Sequence, residues 1–294
     1  MNDMQTILVT GADGQLGKSI KAQISNSQYL VTYVTQYDID FSRTESIDAY
    51  FDKNNFDIII NCAAYTFVDK AESEPDLAEQ INHFAVKQLA QIAKAHGSTL
   101  IHVSTDYVFA GTQCRPYIEE DKTDPQSVYG SSKLNGEMAM LTVAPKGIII
   151  RTSWLYSEFG NNFVKTMMRL GLERDQLNVV FDQIGTPTYA GDLARAIICI
   201  LDSERFEEQA KTACVFHFSN EGVTSWYDFA KEIFKQCNID CTVLPIESID
   251  YPTPAKRPGY SLLNKRKIKS AFDLQIPYWM DSLMGCINLL NRMK

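Results

Sequence analysis

The feature that most constrains the fold of this chain is an alternation of short β-rich runs with helical stretches. The β-rich runs lie at 6–10, 30–34, 57–61, 99–104 and 147–153, and helical periodicities lie between them at 15–26, 44–53, 76–96 and 128–142. The runs at 57–61 and 147–153 are continuously apolar in their centres, as expected for parallel strands covered on both faces. This rhythm predicts an α/β fold, a Rossmann-like doubly wound parallel sheet with right-handed crossovers.

The first β-rich run leads directly into a loop with three spaced glycines, Gly11, Gly14 and Gly17, which opens the first helix. In such loops one glycine makes the tight turn, one lets the backbone approach a pyrophosphate, and one lets helix and strand pack closely. The helix N-terminus adds free N–H groups and the positive end of its dipole. Because the loop lies between the first strand and the first helix, it predicts a dinucleotide site at these glycines.

The region after the second β-rich run leaves the choice between NAD and NADP open. An acidic residue there binds the ribose hydroxyls of NAD, whereas an arginine accepts the 2′-phosphate of NADP. The chain has Asp38 and Asp40 slightly late, and Arg43 later still. NADH and NADPH therefore both remain candidate cofactors.

After about residue 155 the alternation loosens. Helices are expected near 161–174, 191–201, 225–237 and 279–292, with a short strand at 215–219, and prolines concentrate between 245 and 258. We therefore expect a dinucleotide-binding domain at 1–154. Residues 155–294 would form mainly a smaller, discontinuous α/β substrate lobe, with a segment at about 178–201 returning to the main sheet.

A Tyr-xxx-Lys spacing places both side chains on one face of a helix, one turn apart. A nearby ammonium lowers the pKa of a tyrosine, which can donate a proton to a carbonyl oxygen as hydride arrives at the carbon. The chain contains two such pairs, Tyr129 with Lys133 and Tyr227 with Lys231. Only the first pair follows the fourth β-rich run and its loop, beside the sheet edge where α/β proteins bind ligands. We therefore expect Tyr129 and Lys133 to carry carbonyl or alcohol redox chemistry.

Two hydroxyl side chains, Ser104 and Thr105, end the fourth β-rich run. At the carboxyl end of a parallel strand they would point at the ligand crevice, within reach of a bound carbonyl. Together they form the expected third catalytic element, next to the substrate.

The composition argues against several other classes of protein. A formal net charge of −8 disfavours nucleic acid and anionic membranes as partners. The seven cysteines show no paired metal-knuckle spacing, so we expect free thiols and no metal site. No charged leader precedes the first β-rich run, and the apolar runs are far shorter than a membrane span, so we expect a cytoplasmic protein.

Further blocks recur in one order across nearly the whole chain. Besides the glycine loop they lie at 61–66, 68–75, 82, 103–109, 129–133, 151–156, 160–163, 182–188 and 251–258. In this order they resemble the extended short-chain dehydrogenase/reductases, specifically the dTDP-4-dehydrorhamnose reductases. The resemblance implies NAD(P)H-dependent reduction of the C4 ketone of dTDP-4-dehydro-6-deoxy-L-mannose to dTDP-L-rhamnose.

The resemblance also implies roles for individual residues. Tyr129 would be the proton donor, Lys133 would hold the nicotinamide ribose, and Thr105 would orient the sugar carbonyl. The remaining implied cofactor contacts are Gln15, Leu16, Asp40, Phe41, Ala64, Tyr65 and Thr66. The remaining implied substrate contacts are Asp106, Tyr107, Trp154 and Arg257, whose planar guanidinium can bind a diphosphate at two points.

One departure from the family bears on assembly. Some members dimerise through a metal held by acidic side chains, and here Ser19 and Gly191 stand at the matching positions. Asp192 is adjacent but would need a different geometry. A monomer or a weak homodimer is therefore expected.

Other functions on the same fold remain open. A 4,6-dehydratase is not among them, because it needs an acid and a base after the strand-four threonine, whereas this chain has Asp106 followed by Tyr107 and so lacks the base. A 4-epimerase would keep its nicotinamide bound and turn over without added NAD(P)H. Another sugar-nucleotide 4-ketoreductase is possible, and so is a non-catalytic regulatory subunit, although Thr105, Tyr129 and Lys133 are all present.

Overall fold

The computed structural model describes residues 4–24 and 29–293. Its strands are β1 Gln5–Thr10, β2 Tyr29–Tyr33, β3 Ile58–Asn61, β4 Thr99–Thr105, β5 Gly147–Thr152, β6 Leu155–Tyr156, β7 Gln176–Val180, β8 Ile184–Gly185, β9 Thr188–Tyr189, β10 Cys214–His217, β11 Thr224–Ser225 and β12 Thr242–Ile246. Its α-helices are α1 Gln15–Gln23, α2 Thr44–Phe51, α3 Val68–Ala71, α4 Pro75–Glu79, α5 Ala85–His96, α6 Val128–Val143, α7 Phe163–Glu173, α8 Ala190–Leu201, α9 Phe206–Gln209, α10 Trp226–Cys237, α11 Arg266–Phe272 and α12 Trp279–Arg292.

Six strands form one parallel sheet in the order β10-β5-β4-β3-β1-β2. The chain passes from β1 outward to β2 and then returns to β3 on the other side of β1, so the strand order reverses between β1 and β3. Open α/β sheets bind ligands at the carboxyl ends of the strands beside such a reversal. The predicted Rossmann-like doubly wound sheet is confirmed.

Helices cover both faces of this sheet, which explains the uninterrupted apolar runs of β3 and β5. One face packs alternate strand residues such as Ile60 and Ile148 against α1, α8 and α11. The other face packs Ile59 and Ile149 against α2, α5 and α6. Because consecutive strand residues point to opposite faces, both faces need apolar side chains, and the sequence pattern meets that requirement.

A second hydrophobic core contains side chains of α7, α10, α12, β7 and β12, with β7 and β12 paired in parallel. Within the segment expected to return to the main sheet, about 178–201, α8 packs against α1, whereas β7 belongs to the second core. Two elements beyond residue 154 that were not expected there, β10 and α11, also join the main sheet or its core. The division into two domains stays a prediction.

The helix predicted at 76–96 is divided by a π-helical segment, Gln80–Phe84, between α4 and α5. The insertion turns Asn82 inward, where it is fully buried. Local periodicity did not indicate this change, because apolar spacing predicts a helix without specifying whether one of its turns is more widely wound. The predicted helix at 15–26 ends at Gln23, and residues 25 and 26 lie outside the described residues.

Candidate active site

The glycine loop lies at the carboxyl end of β1, beside the reversal in strand order. Gly11 has a φ of +61°, and a Cβ there would stand 2.8 Å from the backbone nitrogen of Ala63, in the segment after β3. A Cβ at Gly17 would stand 2.5 Å from the carbonyl oxygen of Gly11. Gly14 precedes α1 and has no side chain to cap it, so the first amides of the helix are donors for an anionic ligand.

The residues that follow Gly14 anchor the loop in two directions. Leu16 is buried in the core beneath the sheet, so only its main chain can contribute to the predicted pyrophosphate contact. The side-chain oxygen of Gln15 accepts hydrogen bonds from Ser157 Oγ at 3.0 Å and from Asn162 Nδ2 at 2.9 Å. Gln15 therefore also joins the glycine loop to the segment before α7, a link that sequence spacing did not reveal.

The acidic residues after β2 are engaged within their own turns. Asp38 Oδ2 accepts from the backbone nitrogen of Thr35 at 2.8 Å, and Asp40 Oδ1 accepts from that of Ser42 at 2.9 Å. Hydrogen bonds lower the pKa of both carboxyls, mainly the bond from the Thr35 backbone for Asp38 and the bond from the Ser42 hydroxyl for Asp40, so both are ionised at neutral pH. Phe41, predicted at the adenine end of the cofactor, packs its ring into the core and leaves little of it for a ligand.

The segment after β3 is held by Asn82. Its side-chain oxygen accepts from the backbone nitrogen of Tyr65 at 2.9 Å, and its amide nitrogen donates to the Tyr65 carbonyl at 3.0 Å. The same nitrogen donates to Ser132 on α6 at 3.0 Å. Asn82 thus fixes the 64–66 segment, which carries the predicted contacts Ala64, Tyr65 and Thr66, against the helix of the tyrosine–lysine pair.

Tyr129 and Thr105 are brought together from α6 and the end of β4. Ser127 caps α6 by accepting from the backbone nitrogen of Gly130 at 3.1 Å, so the helix begins at Val128, one residue before Tyr129. The Thr105 side chain lies close enough to Tyr129 to affect the pKa of its hydroxyl, and both residues are buried. The predicted catalytic hydroxyls therefore lie side by side.

Lys133 lies one turn further along α6 and is 2% exposed. Its Nζ donates to the carbonyl oxygen of Val103 at 2.7 Å, and burial lowers its pKa to about 8. The predicted lowering of the Tyr129 pKa by this lysine is wrong for the described side chains. Burial instead raises the Tyr129 pKa above its ordinary value, and the neighbouring Thr105 side chain opposes that rise only in part.

Ser104 was predicted next to the substrate, and the structure places it behind the site instead. Its hydroxyl donates to the buried carboxylate of Glu137 on α6, which also pairs with Arg151. The physical reason is strand alternation, because Ser104 and Thr105 point to opposite faces of β4. Of the two adjacent hydroxyls, only that of Thr105 reaches Tyr129.

Asp106 follows Thr105 and is 1% exposed. Its Oδ1 accepts from Thr105 Oγ1 at 3.0 Å. Burial raises the pKa of this carboxyl to about 6, so it is ionised at neutral pH with a substantial desolvation cost. Asp106 therefore lies directly behind the hydroxyl pair.

Tyr107 and Arg257 form the side of the site away from the glycine loop. The ring of Tyr107 meets that of Tyr129 edge-on, with centroids 5.4 Å apart. Arg257 donates to the Tyr107 hydroxyl at 3.1 Å and to Asp69 Oδ2 at 2.7 Å. Arg257 thus reaches Tyr107, the ring neighbour of the predicted catalytic tyrosine, across 150 positions of the chain.

Tyr107 and Arg257 open onto a cavity of about 810 Å³, lined further by residues of α7, β7, α10 and the 246–253 segment. Trp154, a predicted substrate contact, lines it in the left-handed backbone region with a φ of +48°. Its ring stacks on Trp226 at a centroid distance of 3.6 Å. Trp226 was not identified as a site residue from the sequence, which predicted only a helix near 225–237.

The rejected Tyr-xxx-Lys pair and the family's metal positions lie elsewhere. Tyr227 packs against the second core and Lys231 is exposed. Ser19 Oγ donates to Gln15 O at 2.9 Å, and the carboxylate of Asp192 is engaged by Asn220 at 2.7 Å and by Arg195 at 3.2 Å. Within residues 4–24 and 29–293, no cluster of three or more His, Cys, Asp or Glu side chains is placed to hold a metal ion.

A glycine loop at the reversal of a parallel sheet, with a tyrosine and a lysine on the helix beside it, defines the class of short-chain dehydrogenase/reductase folds. Residues 4–292 match the model of the family described as the RmlD substrate binding domain. The dTDP-4-dehydrorhamnose reductase of Aggregatibacter actinomycetemcomitans is 44% identical, over 95% of this chain and 97% of the relative.

Two solved structures are equally similar in shape. A dTDP-4-dehydrorhamnose reductase from Clostridium acetobutylicum has a TM-score of 0.91 and 41% identity, over 97% of this chain and 99% of that one. The corresponding enzyme from Bacillus anthracis, described in complex with NADP, has a TM-score of 0.91 and 37% identity over the same shares. The chain belongs to the dTDP-4-dehydrorhamnose reductase family, and the prediction of an oxidoreductase of this family is confirmed.

Across the described ranges, no helix is both long and apolar enough to cross a membrane.

Proposed function

We propose that this protein reduces the C4 ketone of dTDP-4-dehydro-6-deoxy-L-mannose with NAD(P)H to form dTDP-L-rhamnose. The observation that carries the proposal is the closeness of the Tyr129 and Thr105 hydroxyls, with Tyr107, which lines the large cavity, packed edge-on against Tyr129. Tyr129 can donate to a carbonyl oxygen, and Thr105 can donate to the same oxygen when its proton turns away from Asp106. The relatives described as dTDP-4-dehydrorhamnose reductases support the choice of substrate.

The glycine loop fits a nicotinamide dinucleotide, which supplies hydride when bound. A Cβ at Gly11 would collide with the Ala63 backbone, and the uncapped start of α1 offers amides to a pyrophosphate. The NADP complex of the Bacillus anthracis neighbour supports this class of cofactor. Preference between NADPH and NADH stays open, because Asp38 and Asp40 are both engaged in local turns.

Tyr129 is suited to be the proton donor. Burial raises its pKa, so the hydroxyl keeps its proton at neutral pH. As negative charge develops on the carbonyl oxygen, Tyr129 transfers that proton and Thr105 keeps the oxygen in line. Lys133, held by its bond to the Val103 carbonyl, lies one turn away on the same helix face and would contact the nicotinamide ribose.

The cavity beside Tyr107 would hold the rest of the substrate. Arg257 offers a guanidinium that can bind a diphosphate in two places, with Asp69 orienting it. Trp154 presents an aromatic surface in the same cavity, where a sugar ring could pack. Asp106 supports Thr105 from behind.

The test is oxidation of NADPH and of NADH on addition of dTDP-4-dehydro-6-deoxy-L-mannose, followed by absorbance. We expect Tyr129→Phe to lower kcat by about 10² to 10⁴, the usual contribution of a positioned proton donor. Tyr227→Phe is the matched control, since it removes the hydroxyl of the other Tyr-xxx-Lys pair, and its kcat should equal that of the wild type.

Three results would contradict the proposal. Conversion of the sugar nucleotide to an epimer without added NAD(P)H would indicate an epimerase. Dinucleotide binding with no turnover of any 4-keto sugar nucleotide would indicate a regulatory subunit. Equal kcat values for Tyr129→Phe and wild type would remove Tyr129 from the proton-transfer step.

A further inference from the structure

A row of buried polar side chains crosses the sheet directly behind the glycine loop. Thr10, Asn61 and His102 are register partners on the neighbouring strands β1, β3 and β4, and none is more than 1% exposed. The row ends at Lys133 on α6, whose Nζ lies 3.5 Å from His102 Nε2. Four polar groups therefore connect the last residue before the glycine loop to the predicted catalytic lysine.

The orientation of Asn61 follows from its neighbours. The backbone nitrogen of Ala63 can only donate, and it is shared between Asn61 Oδ1 at 3.2 Å and Thr10 Oγ1 at 3.3 Å, so both of these oxygens accept from it. The Thr10 hydroxyl donates to Asn61 Oδ1 at 2.7 Å. The amide nitrogen of Asn61 must then point at His102, where it lies 3.0 Å from Nδ1. An amide nitrogen offers only protons, so Nδ1 of His102 accepts.

The charge state of His102 fixes its other ring nitrogen. The residue is fully buried beside Lys133, and burial holds its pKa well below the usual value, so the ring is neutral. A neutral imidazole whose Nδ1 accepts carries its proton on Nε2. That Nε2–H faces Lys133 Nζ, which donates on its other side to the Val103 carbonyl at 2.7 Å.

We propose that His102 is a positioning residue whose Nε2–H donates toward Lys133 and thereby favours the uncharged amine of Lys133 over its ammonium. Thr10 and Asn61 hold His102 in the tautomer that carries this proton. The catalytic relevance of this row rests on the function proposed above. An uncharged amine can accept from His102 while it donates to Val103. An ammonium carries protons only and would meet a second donor at this position.

The other groups that face Lys133 leave its equilibrium between ammonium and uncharged amine sensitive to His102. Glu137, one turn along α6, favours the ammonium, but its charge is shared with Arg151 in a buried ion pair. Cys62 and Tyr129 both keep their protons at neutral pH, because burial raises the pKa of each. The pKa of Lys133 is accordingly lowered to about 8, mainly by burial, within reach of one hydrogen bond's influence.

The tautomer can be read directly, without turnover. Full-length protein labelled with ¹⁵N-histidine gives long-range ¹H–¹⁵N correlations that separate protonated from unprotonated ring nitrogens, and His102→Phe identifies the signals of His102. We expect a protonated Nε2 and an unprotonated Nδ1 at pH 7. We also expect the Nε2 signal to shift near pH 8 as Lys133 titrates. A proton on Nδ1 in the wild type would overturn the proposal.

Asn61→Asp should reverse the direction of the hydrogen bonds that His102 makes, with almost no change in side-chain shape. The carboxylate still accepts from Ala63 and Thr10, but its second oxygen demands a proton from His102. We expect the ring proton to move to Nδ1, so that Nε2 accepts from Lys133. The Lys133 inflection in the His102 signal and the alkaline limb of kcat should both rise by about one pH unit. An inflection unchanged from the wild type, with the tautomer reversed, would overturn the claim that His102 tunes Lys133.

The new carboxylate also favours the ammonium by its charge, and the double variant Asn61→Asp with His102→Phe is the control. It keeps the charge but has no imidazole, so its alkaline limb should rise by less than that of Asn61→Asp. Equal shifts in the two variants would assign the effect to charge and overturn the proposal. If neither the wild type nor any variant turns over the sugar nucleotide, the proposed function fails. The histidine signals still decide whether His102 has the tautomer proposed here.

Discussion

The buried ion pair of Glu137 and Arg151 gives the sharpest test of how the site is supported. The two side chains are 0% and 5% exposed, and Arg151 Nη2 lies 2.6 Å from Glu137 Oε2. Arg151 Nε donates to Oε1 at 3.0 Å, and Ser104 donates to the same carboxylate. Glu137→Gln keeps the shape but leaves a guanidinium without an opposite charge where water cannot reach it. We expect the free energy of unfolding to fall by about 3 to 5 kcal/mol.

The matched control is Glu173→Gln on the surface of α7. Glu173 pairs with Arg169 one helical turn away at 3.0 Å, but the two side chains are 53% and 61% exposed. Water replaces the lost contact there, so the free energy of unfolding should change by less than about 0.5 kcal/mol. Comparing the same Glu→Gln substitution at a buried and at an exposed site thus separates the effect of burial on stability from the effect of losing the charge.

Urea denaturation followed by circular dichroism measures both variants. The double variant Glu137→Gln with Arg151→Met should recover part of the loss, because neither charge is then left unpaired. A single variant Glu137→Gln within about 0.5 kcal/mol of the wild type would refute the reasoning, since no buried guanidinium loses its partner at so small a cost. A double variant less stable than the sum of the two single changes would refute it as well.

Three further predictions concern the loop, the cavity and the carboxyl behind Thr105. Gly11→Ala should weaken NAD(P)H binding at least about tenfold, because its Cβ collides with backbone. Gly97→Ala is the control: this glycine also has a positive φ but open space around it, so the change should only cost about 1 to 2 kcal/mol of stability. Titration of dinucleotide fluorescence with both variants measures the difference in binding. Arg257→Lys should raise KM for the sugar nucleotide about tenfold with little change in kcat, since an ammonium cannot bind a diphosphate in two places; unchanged KM would contradict the assigned contact. Burial raises the pKa of Asp106 from 3.8 to about 6, so the folded state loses stability as pH rises from 4 through 6. Asp106→Asn should therefore be more stable than the wild type by roughly 1 to 3 kcal/mol at pH 8, but not at pH 4. Thermal unfolding at the two pH values measures this difference.

Much of the fold and part of the site could be predicted because their determinants are local. The turn at Gly11 needs a positive φ, and the close approach at Gly17 needs the absence of a Cβ, so glycine spacing between a strand and a helix identifies the loop. Tyr129 and Lys133 share a helix face by their spacing alone. The apolar runs of β3 and β5 indicated strands covered on both sides, which the two cores confirm.

Local pattern was misleading where burial or alternation decides the outcome. Ser104 and Thr105 are equivalent as hydroxyls at a strand end, and only the face on which α6 packs separates them. The charge argument for Lys133 neglected desolvation, which dominates the pKa of both Lys133 and Tyr129 in a site this deeply buried.

The sequence by itself determined the strand–helix alternation and the glycine loop, and it carried the prediction of Tyr129 over Tyr227, because each depends on neighbours within a few positions or on the order of elements. Only the tertiary structure decided which distant groups line the cavity beside Tyr107, the ring neighbour of Tyr129. Arg257 comes from 128 positions beyond Tyr129 and Trp226 from 97, while His102 reaches Lys133 across a strand and a helix. Such contacts depend on how the sheet orders its strands and on which faces pack together, and no periodicity along the chain records either.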